Sequence, residues 1–215
     1  MEENLYKHLD LLIKRYPQLR VCKMDIIKAY NILENTYHNS GKLLVCGNGG
    51  SASDSEHIVG ELMKEFKLKR RIFSTQADAM KSIDPEMGAV LAEHLQGALP
   101  AITLTAHSSL TTAFMNDSEP TLVFAQQVNG YGMPNDTILC ISTSGNSKNV
   151  LYAAVTARAR GMKVIGLTGA NENRLEKFSD ACIRVPEIET YKIQELHLPV
   201  YHCLCMMLED VFFGK

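Results

Sequence analysis

KLLVCGNGGSASDSEHIVGEL, residues 42–62, joins an apolar run to a helical pattern through a glycine loop. The run Lys42–Cys46 empties into Gly47, Asn48, Gly49, Gly50 and Ser51. A short apolar run closed by glycines reads as a buried strand. Similar runs recur at Ala101–Thr105, Thr137–Ser142 and Lys163–Thr168, with a weaker one at Ala181–Val185. Helical patterns separate them. Near-continuous apolar strands alternating with helices predict a parallel sheet covered on both faces, hence an α/β fold: a three-layer α/β/α sandwich with five parallel strands.

Outward from this unit, Leu5, Leu9, Leu11, Leu12 and Tyr16 form a helical stripe ended by Pro17. Met24–Tyr37 reads as a second helix, so residues 1–40 are expected to be helical. At the other end, Tyr191–Phe213 is a long helix with a stripe including Ile193, Leu196, Val200, Leu204 and Leu208. Gln76–Gly97 breaks the alternation and is expected to be an inserted helical or loop element, with a helical pattern over Ala89–Leu95. The 215 residues fit one domain, with 46% apolar and 21% charged residues.

A net charge of −2 offers no global basic field for nucleic acid. The densest basic run, Lys64–Arg71 (KEFKLKRR), reads as a solvated helix end. The six cysteines form no Cys-x-x-Cys pair, which points to buried thiols in a reducing compartment. The amino-terminal stretch mixes charge with apolar residues unlike a signal peptide, and no stretch matches the ~20 apolar residues of a membrane span. A cytoplasmic protein with no membrane role is expected.

Two loops look built for an anion. Thr137–Ser142 runs into Thr143, Ser144, Gly145, Asn146 and Ser147, and a helix follows from Lys148. A helix start offers unpaired N–H groups and partial positive charge, and Ser142, Thr143, Ser144 and Ser147 add hydroxyl donors. Ordinary capping by Ser147 or Asn146 explains part of this pattern, but not so many polar residues in a row. The Asn48–Ser51 loop repeats the arrangement and lacks both the dinucleotide and the P-loop signatures. Two such loops on one sheet suggest a sugar phosphate.

His57 and Glu61 share a helix face at i and i+4, a spacing that serves a divalent metal, an acid–base pair or a plain surface contact. The last helix carries Gln194, Glu195, His197 and His202. Gln194 and His202 lie roughly 12 Å apart along a straight helix, so a shared site needs reach or a second subunit. His197 reads as a packing neighbour. Asn116 and Asp117 form another polar pair, with Pro120 close behind.

The segments GNGGSASDSEH–IVGE, AFMND, ISTSGNSKNVL, GMKVIGLTG and IQELHLPVYH together resemble the sugar isomerase (SIS) domain family, within it the phosphoheptose isomerase branch. The resemblance runs from about Lys42 to Glu209 and implies a flavodoxin-like α/β/α fold, a homotetramer, bound zinc and a phosphorylated sugar substrate. It implies substrate contacts from Asn48, Gly49, Gly50, Ser51, Glu61, Asn116, Asp117, Ser142, Thr143, Ser144, Ser147 and Gln194. It implies metal ligation by His57, Glu61, Gln194 and His202. Segment 76–97, His107 and Tyr191 depart from the family's pattern. The implied reaction is aldose–ketose isomerisation of sedoheptulose 7-phosphate through an enediol, with Glu61 as base and His202 moving a proton to or from oxygen. A non-catalytic phosphosugar-binding or replication-initiation regulator, or an isomerase of another sugar phosphate, are the alternatives.

Overall fold

The computed structural model describes residues 6–214. Helix α1 (Lys7–Arg15), a 3-10 segment (Pro17–Cys22) and α2 (Lys23–His38) precede the sheet. Then follow β1 (Leu43–Cys46), α3 (Gly50–Met63), α4 (Ser74–Ile83), α5 (Pro85–His94) and β2 (Ala101–Thr103). The chain continues through α6 (Ser108–Asp117), α7 (Val123–Tyr131), β3 (Thr137–Ile141), α8 (Lys148–Ala159), β4 (Lys163–Thr168) and β5 (Ala181–Arg184), and ends in α9 (Thr190–Phe213). All strand pairs are parallel, in the order β2-β1-β3-β4-β5.

The apolar strands alternate between two cores because successive side chains leave opposite faces of a sheet. Leu43, Val45, Leu139, Ile141, Ile165 and Leu167 face α1, α2, α3 and α9. Leu44, Cys46, Ile138, Cys140 and Val164 face α7 and α8. Strands buried on both sides lose the polar–apolar alternation of a half-exposed sheet. The strand order reverses between β1 and β3, where Cys46 pairs in register with Cys140. The two polar loops therefore leave the sheet side by side, in the crevice where open α/β sheets bind ligands.

Several expectations need correction. Leu11 is exposed and Leu9, Leu12 and Ile13 carry the buried stripe of α1, while Leu5 lies outside the described residues. Segment 76–97 is a hairpin of two helices, because Pro85 starts a second helix at N1 with Asp84 accepting from Met87 N. The run Lys64–Arg71 is not simply solvated, since Arg70 is 1% exposed. Helix α9, at 24 residues, is long and apolar enough to cross a membrane by length and composition. Its apolar face belongs to the first core: Ile193, Leu196, Val200, Leu204 and Leu208 are all buried there. The six cysteines are unpaired, and burial pushes the Cys22 and Cys182 thiols up to about 11.

His197 is a packing residue of α9, fully buried, with Nε2 3.4 Å from Thr168 O and Nδ1 without a partner. Burial pulls it down to about 4. The unfolded chain takes up a proton near the ordinary value of 6.5 while the folded chain does not until about 4, so acid favours unfolding across that window. Stability should fall by about 2 kcal/mol between pH 7 and pH 5 from this group. Urea unfolding at both pH values checks it, and His197→Leu should remove that share of the slope.

Candidate active site

The glycine loop is shaped by two requirements. Gly49 sits at φ 56° and ψ −122° at the N-cap of α3, a conformation open to glycine. A Cβ on Gly50 would lie 2.5 Å from Gln194 Nε2, so the absence of a side chain lets α9 close onto the start of α3. Across the crevice, Ser147 holds the N-cap of α8, yet its hydroxyl turns to Ser142 Oγ at 3.1 Å and makes no capping bond. Thr143 and Ser144 lie in the same turn. Asn48 and Asn149 exchange two amide hydrogen bonds of 3.0 and 2.8 Å, tying the first loop to the helix that follows the second. Asn149 lay within the quoted ISTSGNSKNVL motif, but spacing alone does not show that it meets Asn48.

One to three turns into α3, the ionisable groups converge. His57 Nε2 is 3.1 Å from Glu61 Oε1 and 3.5 Å from His202 Nε2. His57 Nδ1 is 2.9 Å from the Tyr201 hydroxyl, which donates to Asp54 Oδ1 at 3.2 Å. The rings of His57, Tyr201 and His202 stand edge to face, with centroids 5.0–5.5 Å apart. Burial and the neighbouring His57 hold His202 below its ordinary value, against the opposing pull of Glu61. Burial and Asp54 push the Tyr201 phenol well up, so it keeps its proton. Glu61 is 9% exposed, and its Oε2 is buried without a hydrogen-bond partner.

Helices α3 and α9 run side by side, so His57 and His202 meet at one level and Gly50 and Gln194 at another, two turns back. Gln194 thus lies beside the glycine loop. Asn116 and Asp117 occupy the last turn of α6, exposed, with Asn116 donating to Asp117 at 2.8 Å. His107 packs against Tyr131 and leaves Nε2 buried without a partner. Tyr191 is exposed at the start of α9.

Among the described residues, no three His, Cys, Asp or Glu side chains already surround a metal position. The donor chemistry nevertheless fits one. Two imidazole nitrogens and a carboxylate oxygen turn toward each other at 3.1 and 3.5 Å. Donors at about 2.0–2.1 Å from a tetrahedral zinc lie about 3.3 Å apart. With Nδ1 engaged by Tyr201, the Nε2 of His57 is the nitrogen left for an ion.

A buried ion pair fixes the end of α3 that bears Glu61. Arg70 Nε donates to Glu209 Oε1 at 2.7 Å, and its other nitrogens donate to Leu62 O at 2.7 Å and Glu61 O at 2.8 Å. Glu209 also accepts from Phe66 N and Lys67 N, both at 2.9 Å. A cation at the last carbonyls of a helix satisfies otherwise orphaned acceptors and opposes the helix dipole. Sequence reading missed both residues, because one Arg of a basic run carries no mark of burial.

The SIS domain family model matches residues 76–169. Phosphoheptose isomerase from Rhodospirillum rubrum is 35% identical over 210 residues, 98% of each chain. That likeness runs essentially end to end. The chain belongs to the phosphoheptose isomerase family of SIS-domain proteins. Phosphoheptose isomerase from Nitratiruptor sp. is 37% identical over 99% of this chain and 98% of its own. Among solved structures, phosphoheptose isomerase from Francisella tularensis superposes with a TM-score of 0.75 at 29% identity over 97% of both chains. The enzyme from Neisseria gonorrhoeae gives 0.73 at 29% identity, over 97% of this chain and 98% of its own. Membership accounts for the pairing of two anion-friendly loops with a histidine–carboxylate cluster on one sheet.

Proposed function

We propose that this protein is an aldose–ketose isomerase of phosphosugars, converting sedoheptulose 7-phosphate to D-glycero-D-manno-heptose 7-phosphate through an enediol. The observation that carries the reading is the convergence of His57, Glu61 and His202 from two helices of a chain related end to end to phosphoheptose isomerases. In the proposed mechanism the phosphate docks at the start of α8, on the hydroxyls of Ser142, Thr143, Ser144 and Ser147. Asn48, Gly49, Gly50, Ser51 and Gln194 line the sugar, with Asn116 and Asp117 as further contacts. Glu61 takes the proton from the carbon beside the carbonyl and returns it to the neighbouring carbon. His202, as a neutral imidazole, moves the proton between the oxygens, a role its Nε2 can serve only while that nitrogen's lone pair is not given to a metal ion.

His57, Glu61 and His202 are the proposed zinc ligands, while Gln194, expected as a fourth, sits beside Gly50 two turns from them and is proposed as a sugar contact; bound zinc would polarise the substrate oxygens. Coordination lowers the basicity of a carboxylate, so the two roles of Glu61 compete. Its two oxygens divide them: Oε1 faces His57, while Oε2 has no hydrogen-bond partner and lies 3.9 Å from Lys64 Nζ.

A cytoplasmic homotetramer completes the proposal. Six unpaired cysteines, five of them buried, suit a reducing compartment. The α4–α5 hairpin buries only Gly88 within its own chain and exposes Ile83, Met87, Val90 and Leu91, with Phe73 and Leu95 at its ends. Helices of 10 residues are marginal on their own, so a partner subunit covering this face is favoured.

Incubation with sedoheptulose 7-phosphate, followed by product analysis, tests the reading. Turnover should occur, fall on treatment with a zinc chelator and return with added zinc. Binding of phosphosugars without any conversion would favour a regulator instead.

A further inference from the structure

The hydrogen-bond directions around His57 lead further. Asp54, as a carboxylate, can only accept. Tyr201 must then donate its O–H to Asp54 Oδ1, at 3.2 Å. Its oxygen is left to accept, and the group in reach is His57 Nδ1 at 2.9 Å. The neutral ring therefore carries its proton on Nδ1 and presents a bare Nε2 to Glu61 Oε1 and His202 Nε2. Two acceptors facing each other at 3.1 Å repel unless a cation sits between them, either a second proton or a metal ion. Tyr201 is 1% exposed, and Asp54 lies one turn before His57 on α3. The relay is thus anchored on both helices that build the site.

We propose that Tyr201 and Asp54 are positioning residues that lock His57 in the Nδ1–H tautomer and aim its Nε2 at the cation position. The relay places a phenol between the carboxylate and the imidazole. Outer partners of this kind orient ligating histidines, and their loss typically weakens metal binding about 10–100-fold. The inference deepens the proposed zinc site and rests on it for its function, whereas the tautomer does not depend on metal.

Three variants and three measurements test it. Tyr201→Phe removes the relay oxygen with little change in shape. Asp54→Leu removes the acceptor, so the Tyr201 hydroxyl should turn and donate to His57 Nδ1, reversing the tautomer. His57→Ala is the reference for complete loss. Circular dichroism melts of the metal-free proteins establish folding. Zinc affinity, measured by competition with a chromophoric chelator, should fall 10–100-fold in both relay variants. In metal-free protein near pH 8, long-range proton–nitrogen spectra of the imidazoles should show His57 protonated on Nδ1 in the wild type and on Nε2 in Asp54→Leu. The proposal is overturned if His57 carries its proton on Nε2 in the wild type, or if folded relay variants bind zinc within twofold of it. Absence of zinc binding by the wild type would remove the zinc site from the proposed function, and the spectra would still decide the tautomer.

Discussion

Glu61→Gln should reduce kcat for sedoheptulose 7-phosphate by about 10²–10⁴-fold while the protein stays folded, the range assigned to a positioned general base. The amide keeps the shape of the side chain and removes its basicity. The fold should survive because α3 is held at this point through the backbone: Arg70 donates to the carbonyl oxygen of Glu61, not to its carboxylate. The side chain's own close polar contact is the 3.1 Å approach to His57 Nε2. Product formation assays set against thermal melts separate the two effects, and full activity in a folded variant would sink the assignment. Activity restored by zinc in large excess would assign the loss to ligation instead of proton transfer.

Glu209→Gln should cost about 3–5 kcal/mol of stability, because it strands a buried guanidinium. The ion pair is almost fully enclosed, with side-chain exposures of 0% for Arg70 and 1% for Glu209. For a chain of this size the loss corresponds to a drop in Tm of roughly 6–20 °C. Replacing both partners with apolar residues often restores stability at buried pairs. Here it should restore little. Phe66 N and Lys67 N rely on Glu209, and Glu61 O and Leu62 O rely on Arg70, so Arg70→Met/Glu209→Leu leaves backbone groups unpaired. Thermal or urea unfolding of the single and double variants distinguishes these outcomes. A double variant as stable as the wild type would mean that these backbone groups find other partners.

The fold was legible because its signals are local and repeated. Five apolar runs became five parallel strands, with ends moved by at most two residues, since strands buried on both faces must be apolar throughout. In the hairpin at 74–94 the sequence shows a helical pattern only over Ala89–Leu95 within a helical or loop element, because Pro85 resembles a break, whereas at N1 it begins a helix. The basic run was read as solvated because charge implies exposure on average. Arg70 is the exception that a satisfied ion pair allows.

For the site, the sequence by itself determined the residue types and their spacing along each helix: His57 with Glu61, Gln194 with His202, and two polar loops after strands. An i, i+4 pair shares a face wherever the helix is placed, so that relation needs no tertiary information. Only the tertiary structure decided which residues meet across elements. It set His202 against His57 and Gln194 against Gly50, because two helices lying side by side pair residues level by level. It joined Asn48 to Asn149 across the crevice and Tyr201 to Asp54 behind His57. Those contacts depend on the packing of α9 and α8 beside α3, which is fixed by burial of apolar faces far from the polar residues themselves.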